Sequence, residues 1–290
     1  MEKIRKRKQV LDPEHQHQHQ HQRPNSKSVR SAPKSPATTT IDKDPYPSHT
    51  RPTPPECQSI RDTLLSLHGI PPELAKYRKL KTPNDTVPPP ETVLDGLVRT
   101  VLSQNTTETN SQRAFHSLKS SFPSWEHVLS AESKDLENAI RCGGLAPTKA
   151  SCIKNVLRLL LERRGKMCLE YLRDLTVDEI KAELSLFKGI GPKTVACVLM
   201  FNLQQDDFPV DTHIFEIAKT IGWVPAVADR SKTYLHLNQR IPNELKFDLN
   251  CLLYTHGKLC RKCTSKRGNQ QKKGDDSNSC PLLDYYKEAD

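Results

Sequence analysis

The sequence predicts an all-α protein, and three observations support that fold class. From about Glu56 onward, apolar residues recur at intervals of three and four, which is the period of a helix that buries one face. No run shows the sustained alternation of a strand. Proline and glycine punctuate the chain, as in Pro88–Pro90 and Gly143–Gly144, so the helices should be many and short.

The clearest helix is expected over residues 91–103. Its apolar side chains fall on one buried face: Val93, Leu94, Leu97, Val98, Val101 and Leu102. Further helices are expected over residues 57–68, 108–121, 133–141, 147–164, 176–187, 192–203, 211–222 and 242–257.

Residues 1–55 have a different composition from the rest of the chain. They hold nine of the 22 prolines, a His-Gln repeat and one aromatic residue, too little apolar surface to offset the entropy of ordering. We therefore expect a disordered tail over 1–55 and one helical domain over 56–290. The basic cluster Lys3–Lys8 is typical of nuclear import signals and equally of a merely soluble terminus. We expect the nucleus, with an organelle as the alternative.

Charge and cysteine content narrow the class of partner. The chain has 44 Lys and Arg against 34 Asp and Glu, and seven basic residues without an acidic one lie between 258 and 273. Such clustering favours a nucleic-acid partner, although a solvated basic tail has the same pattern. An odd count of nine cysteines, with no signal peptide and no apolar stretch of membrane-spanning length, indicates a reducing intracellular compartment and no membrane partner.

A glycine-containing turn over residues 187–193 is the first candidate functional segment. Gly189 and Gly191 flank one apolar residue, and Pro192 opens the next helix, as proline does at a first helical position. N–H groups at a helix start can hold a phosphate. The turn, together with Lys188 and Thr194, is therefore a candidate DNA contact. The alternative is a simple corner between two helices.

Lys193 and Asp211 are the candidate catalytic pair. Lys193 falls in the first turn of its helix, where the dipole disfavours a positive charge, and an amine is nucleophilic only when neutral. Asp211 follows Pro209 and should cap the next helix. Each residue alone has an ordinary interpretation, as a phosphate-contacting lysine or a plain cap. Together they indicate an amine and a carboxylate acting on one substrate.

The segment Gly189–Thr194 followed by Val210–Ile214 closely resembles the signature of the endonuclease III-like helix–hairpin–helix (HhH-GPD) DNA glycosylase superfamily. The resemblance covers Leu94 to Gly257. It implies two helical subdomains with a DNA-binding cleft between them, the N- and C-terminal parts combining in one. It also implies that Lys193 is the Schiff-base nucleophile and Asp211 the catalytic carboxylate.

The resemblance further implies a function in base-excision repair, or in removal of methylated cytosine. We expect a bifunctional DNA glycosylase and AP lyase, since members with only glycosylase activity lack this lysine. Its partner would be double-stranded DNA with a damaged or modified base or an abasic site, and the enzyme would be a monomer. The alternatives are a monofunctional glycosylase and a non-catalytic DNA-binding protein.

Two other segments resemble the same family. Ser103–Thr107 is similar to a family segment whose glutamine enters the duplex where a nucleotide has flipped out. Gln104 is the candidate for that role, with a helix C-cap as the alternative. Gly144–Ala150 resembles a family turn in which Lys149 would position a phosphate or face solvent.

The C-terminal cysteines depart from the family pattern. Relatives often end in four cysteines that hold a four-iron cluster, but here only Cys260, Cys263 and Cys280 follow His256, and the ligand spacing is broken. Three thiolates cannot complete a Cys₄ site. A fourth ligand from His256 or Cys251 would allow zinc. We expect a degenerate, metal-free loop within the basic segment 258–290, and no required cofactor.

Overall fold

The computed structural model describes residues 43–75, 77, 91–260, 263 and 280–285, and this part of the chain is helical and has no strand. The all-α prediction is confirmed. The α-helices are α1 Pro54–His68, α2 Pro72–Ala75, α3 Val93–Ser103, α4 Glu108–Ser121, α5 Trp125–Ser130, α6 Ser133–Ala139, α7 Ala146–Arg164, α8 Val177–Leu184, α9 Pro192–Cys197, α10 Thr212–Thr220, α11 Arg230–Arg240 and α12 Asn243–Leu259. Short 3₁₀ helices span Arg141–Gly143, Glu170–Asp174 and Pro281–Tyr285, and a π-helix spans Val198–Asn202.

The predicted helices match the observed ones closely, whereas α2, α5 and α11 were not predicted. Helix α11 was missed because it is polar along most of its length and buries only Thr233, His236 and Leu237. The predicted helix over 192–203 is α-helical only as far as Cys197 and continues as the π-helix from Val198. None of the described helices has both the length and the apolar character needed to cross a membrane.

Two hydrophobic cores organise the domain. The first core is built from α3 to α9 and the π-helix. The second core joins α1 to α10, α11 and α12, and α1 packs directly on α12. The N- and C-terminal parts therefore combine in one subdomain, as the resemblance implies.

The helical domain begins before the predicted boundary at Glu56. Pro52 is buried, and Asp44 accepts hydrogen bonds from His236 Nδ1 at 2.7 Å and from Arg240 Nε at 3.1 Å. His236 also contacts the carbonyl of Arg51 at 2.7 Å. Residues 43–53 thus belong to the helical domain, which corrects the expected tail over 1–55. Residues 1–42 lie outside the described part.

Candidate active site and metal-binding cluster

The glycine turn before α9 is anchored by apolar side chains. Phe187 and Ile190 are buried, and the Ile190 N–H donates to the Phe187 carbonyl at 3.0 Å. Gly189 has φ +95°, and a Cβ there would lie 2.8 Å from the Cys152 sulfur. Only glycine fits this position. Gly191 is exposed and has no atom within 4 Å of a Cβ placed on it, so its outward face is open.

Lys193 lies in the first turn of α9, as predicted, and its side chain is exposed. The first intrahelical bond runs from the Val195 N–H to the Gly191 carbonyl at 3.1 Å, so the N–H groups of Lys193 and Thr194 precede it. The Lys193 side chain lines a cavity of about 630 Å³. Lys193 also lines a second cavity of about 480 Å³.

Asp211 is the N-cap of α10, also as predicted. Its Oδ1 accepts from the Ile214 N–H at 2.8 Å, and its side chain lines the same 630 Å³ cavity as Lys193. Lys193 and Asp211, each at the start of its own helix, therefore line one cavity.

The charges of both residues also act on a common neighbour. Burial raises the pKa of Cys197, which lines the same cavity, to about 11. The positive charge of Lys193 opposes this shift, and the negative charge of Asp211 adds to it. Both side chains are therefore within electrostatic reach of one thiol.

Two side-chain amides, Asn250 buried and Asn238 half-buried, fix the segment that leads into Asp211. The Asn250 side chain donates to the Pro209 carbonyl at 2.8 Å. Asn238 accepts from the Phe208 N–H at 2.9 Å and donates to the Phe208 carbonyl at 3.2 Å. These contacts were missed by sequence reasoning because an asparagine within a helix gives no signal of a distant backbone partner.

Helices α4 and α12 also line the 630 Å³ cavity. Lys258 Nζ lies 3.2 Å from a Glu108 carboxylate oxygen and 5.0 Å from the centre of the Tyr254 ring. Burial raises the pKa of Tyr254. None of these three residues was predicted to line the site, since no local motif links helices so far apart in the chain.

Gln104 connects the end of α3 to the start of α9. Its N–H caps α3 by donating to the Val101 carbonyl at 3.2 Å, and its side-chain amide donates to the Thr194 hydroxyl at 3.2 Å. The Thr194 side chain is buried, so a contact from Thr194 to DNA would be made by its backbone N–H, and this contact stays a prediction. Lys188 is exposed, as a contact residue must be.

Lys149 does not have its predicted place. Its side chain is only 2% exposed, and its ammonium group donates to the Leu102 carbonyl at 2.7 Å and to the Gly143 carbonyl at 2.8 Å. Burial lowers the pKa of Lys149. The expectation that this lysine positions a phosphate or faces solvent is wrong, and it joins two backbone segments instead.

The C-terminal cysteines form a cluster that the sequence analysis disfavoured. The donor atoms of His256, Cys260, Cys263 and Cys280 all lie within 4.8 Å of one another. None of the nine cysteines, all of which are described, takes part in a disulfide. The cluster could hold a metal ion, so the expectation of a metal-free loop with no required cofactor is not supported.

In an all-helical domain, a glycine hairpin followed by a lysine and an N-capping aspartate at one cavity defines the class of helix–hairpin–helix DNA glycosylases. The model of the HhH-GPD superfamily of base excision DNA repair proteins matches residues 98–243. The chain belongs to this superfamily.

Individual relatives agree with this assignment. The chain is 59% identical over 274 residues to an Arabidopsis thaliana protein named "Putative DNA glycosylase At3g47830", covering 87% of this chain and 93% of that protein. It is 29% identical over 175 residues to the DNA glycosylase/AP lyase ROS1 of Arabidopsis thaliana, covering 54% of this chain but 12% of ROS1. The fold is similar to that in the structure of a non-covalent endonuclease III–DNA complex, with a TM-score of 0.61 and 19% identity over 81% of this chain and 95% of that one.

Proposed function

We propose that this protein is a bifunctional DNA glycosylase and AP lyase that acts as a monomer on damaged or modified bases in double-stranded DNA. The observation that carries the proposal is the common cavity of Lys193 and Asp211. An amine in a first helical turn and an N-capping carboxylate are the two groups that lysine-based base excision requires.

The chemistry follows from these two groups. The neutral amine of Lys193 attacks C1′ of the deoxyribose, the bond from C1′ to the base breaks, and the base leaves with the bonding electrons and takes up a proton. Asp211 stabilises the positive charge that develops on the sugar, and accepts the proton that the amine loses. The C1′–O4′ bond then breaks and O4′ takes up a proton, which opens the sugar and gives an imine between C1′ and Lys193. The imine makes a C2′ proton acidic, and loss of that proton with departure of the 3′ phosphate by β-elimination nicks the strand.

The surface around Lys193 is suited to a DNA backbone. Gly191 is exposed with open space in front of it, and the N–H groups of Lys193 and Thr194 stand at the positive end of a helix. Such groups bind a phosphate without reading its base. Lys188 adds an exposed positive charge beside the same turn.

Borohydride trapping on a duplex with one abasic site tests the proposal. Borohydride reduces the imine to a stable amine, so the wild-type protein should form a covalent adduct and Lys193→Ala should form none. Asp211→Asn should trap at a rate reduced by about 10²-fold or more. Lys134→Ala, which removes an exposed lysine of α6, is the matched control and should trap like the wild type.

The alternatives give different results. Base release without an adduct or a nick would identify a monofunctional glycosylase, in which Lys193 only contacts phosphate. Binding without base release, across a panel of duplexes that each carry one defined lesion or methylated cytosine, would identify a non-catalytic DNA-binding protein. Either result would overturn the proposal.

The location that suits this activity is the nucleus. A fluorescent fusion of the full chain should accumulate there, and replacing the basic residues of Lys3–Lys8 with glutamine should redistribute it. An organellar pattern in the unaltered fusion would contradict this part of the proposal.

A further inference from the structure

A histidine and three cysteines meet in the second core, close to the C-terminal end of α12. His256 Nε2 lies 3.5 Å from the Cys263 sulfur and 3.4 Å from the Cys280 sulfur, and the two sulfurs are 2.9 Å apart. The Cys260 sulfur completes a group whose donor atoms are all within 4.8 Å of one another.

These separations are of the size expected around one tetrahedral ion. With bonds of about 2.3 Å to sulfur and about 2.0 Å to nitrogen, zinc holds a sulfur and a nitrogen about 3.5 Å apart, and two sulfurs about 3.8 Å apart. The two nitrogen–sulfur distances already agree. The sulfurs of Cys263 and Cys280 would separate by about 1 Å on binding.

A four-iron cluster, which related proteins hold with four cysteines, does not fit this donor set. Such a cluster takes one thiolate for each iron, and this group offers three thiols and an imidazole. Four donors that surround a cube of iron and sulfide also stand farther apart than four donors around one ion. The disagreement favours a single metal ion.

The histidine is held by a second histidine. His68, the last residue of α1, places its Nε2 2.9 Å from His256 Nδ1. With Nε2 on a metal, Nδ1 carries the proton and donates it to His68, which fixes the ring as outer partners of zinc-binding histidines do. His256, Cys263 and Cys280 are each at most 5% exposed and Cys260 is half-buried, so a metal there would be largely shielded from water.

We propose that His256, Cys260, Cys263 and Cys280 bind one structural Zn²⁺ with no open coordination position. The three thiols lose their protons to solvent on binding, so the site carries a net charge of −1. The ion ties α12 to the 3₁₀ helix Pro281–Tyr285, which contacts α1 through a Tyr285–Ser59 hydroxyl pair at 2.5 Å. Its role is to close the second core, apart from the chemistry at Lys193.

The test is the metal content of the full-length protein, purified in the presence of EDTA, by inductively coupled plasma mass spectrometry. We expect one zinc per chain and no iron or acid-labile sulfide. Replacing zinc by Co²⁺ should give the visible absorption bands of a tetrahedral thiolate site. Iron with labile sulfide would overturn the proposal. A protein without metal would also overturn it, whether or not Cys263 and Cys280 have formed a disulfide.

Variants separate binding from general damage. Cys280→Ser should lower zinc below about a tenth of an ion per chain, while Cys168→Ser, a half-buried cysteine outside the cluster, should retain a full ion. His68→Ala should keep the stoichiometry but weaken zinc binding about 10–100-fold. If Cys280→Ser does not fold, the metal content of the wild type and the zinc affinity of His68→Ala still test the proposed site. A full ion in folded Cys280→Ser would contradict the assigned ligands.

Discussion

At the scale of single residues, Lys149 has a structural role in a segment that resembles a DNA-contacting turn. Its ammonium group joins the end of α3 at Leu102 to the 3₁₀ helix at Gly143. Two buried carbonyl groups depend on this one side chain. The sequence could not indicate this role, because a lysine beside a turn is ordinarily solvated and its two partners are distant along the chain.

Replacing Lys149 with methionine, which has a similar volume and no donor, should destabilise the protein. Two buried carbonyls lose charge-assisted hydrogen bonds, so the free energy of unfolding should fall by about 2–4 kcal/mol. Urea denaturation measures the change, and Lys134→Met on the surface of α6 should alter it by less than about 0.5 kcal/mol. If Lys149→Met keeps wild-type stability but loses DNA affinity, the phosphate role would be restored.

Asp44 should give the protein part of its stability at neutral pH. Burial favours a raised pKa, but hydrogen bonds from His236 and from the Tyr46 N–H, with the charges of His236 and Arg240, outweigh it and lower the pKa of Asp44 below 3.8. A lowered carboxyl pKa stabilises the fold above the unfolded pKa of about 3.9, and the contribution disappears as pH falls through the folded pKa.

Asp44→Asn should therefore lower the free energy of unfolding at pH 7 and much less at pH 2. Urea melts at a series of pH values measure the difference, which should shrink steadily below about pH 4. Asp135→Asn, at an exposed position of α6, is the control and should leave the pH profile of the wild type unchanged. A constant difference between Asp44→Asn and wild type at all pH values would contradict the role of the ionised carboxylate.

At the scale of elements, the two glycines of the turn before α9 have different reasons to be glycine. Gly189 is required by the fold, because its φ is positive and the Cys152 sulfur occupies the space of a Cβ. Gly191 has φ −91° and open space, conditions that any residue tolerates. Nothing in the described part of the structure requires glycine here, and close approach of a DNA phosphate is the requirement that the proposed function would add.

Alanine substitutions should distinguish a glycine that the fold requires from a glycine that DNA binding requires. Gly189→Ala should lower the free energy of unfolding by about 1–3 kcal/mol through strain and contact with Cys152. Gly191→Ala should leave stability within about 0.5 kcal/mol of wild type but weaken binding to an abasic duplex, measured by fluorescence anisotropy. Equal affinity of Gly191→Ala and wild type for DNA would remove the turn from the proposed interface.

The sequence predicted elements where one helix carries its own signal. The apolar face of α3 and the capping threonine of α4 are local features, and both helices were predicted within two residues. Helix α11 has little apolar periodicity, so only its packing on the second core reveals it. The same division applies to the site: Lys193 and Asp211 belong to a local signature, whereas Asn250 and Lys258 reach the cavity through tertiary packing.

At the scale of the whole molecule, the proposed nucleophile and carboxylate rest on different cores. Lys193 precedes Val195, which is buried in the first core, while Asp211 follows Val210 and precedes Ile214, which are buried in the second. The distance between amine and carboxylate is therefore set by how the cores are held together. Small displacements of α10 should affect the proposed catalysis more than they affect stability.

Gly257→Ala should produce such a displacement. A Cβ at this position of α12 would lie 2.5 Å from the His213 Cβ on α10, and neither atom can rotate away, so α10 and its N-cap Asp211 must shift. A misplacement of about 1 Å can reduce a rate by about 10²-fold. We expect the single-turnover trapping rate on an abasic duplex to fall about 10–100-fold.

Adding His213→Gly removes the atom that the new Cβ meets, so the double variant should recover most of the rate of His213→Gly alone. Gly165→Ala, at the C-cap of α7 with positive φ and no neighbour within 4 Å, supplies the control, since it strains the backbone in the first core without moving α10. That control should lose about 1 kcal/mol of stability and keep its trapping rate. An unchanged trapping rate in Gly257→Ala would contradict this prediction, and so would an equal loss of trapping rate in Gly165→Ala. Either result would mean that the position of the Asp211 carboxylate does not depend on the packing of α10 against α12.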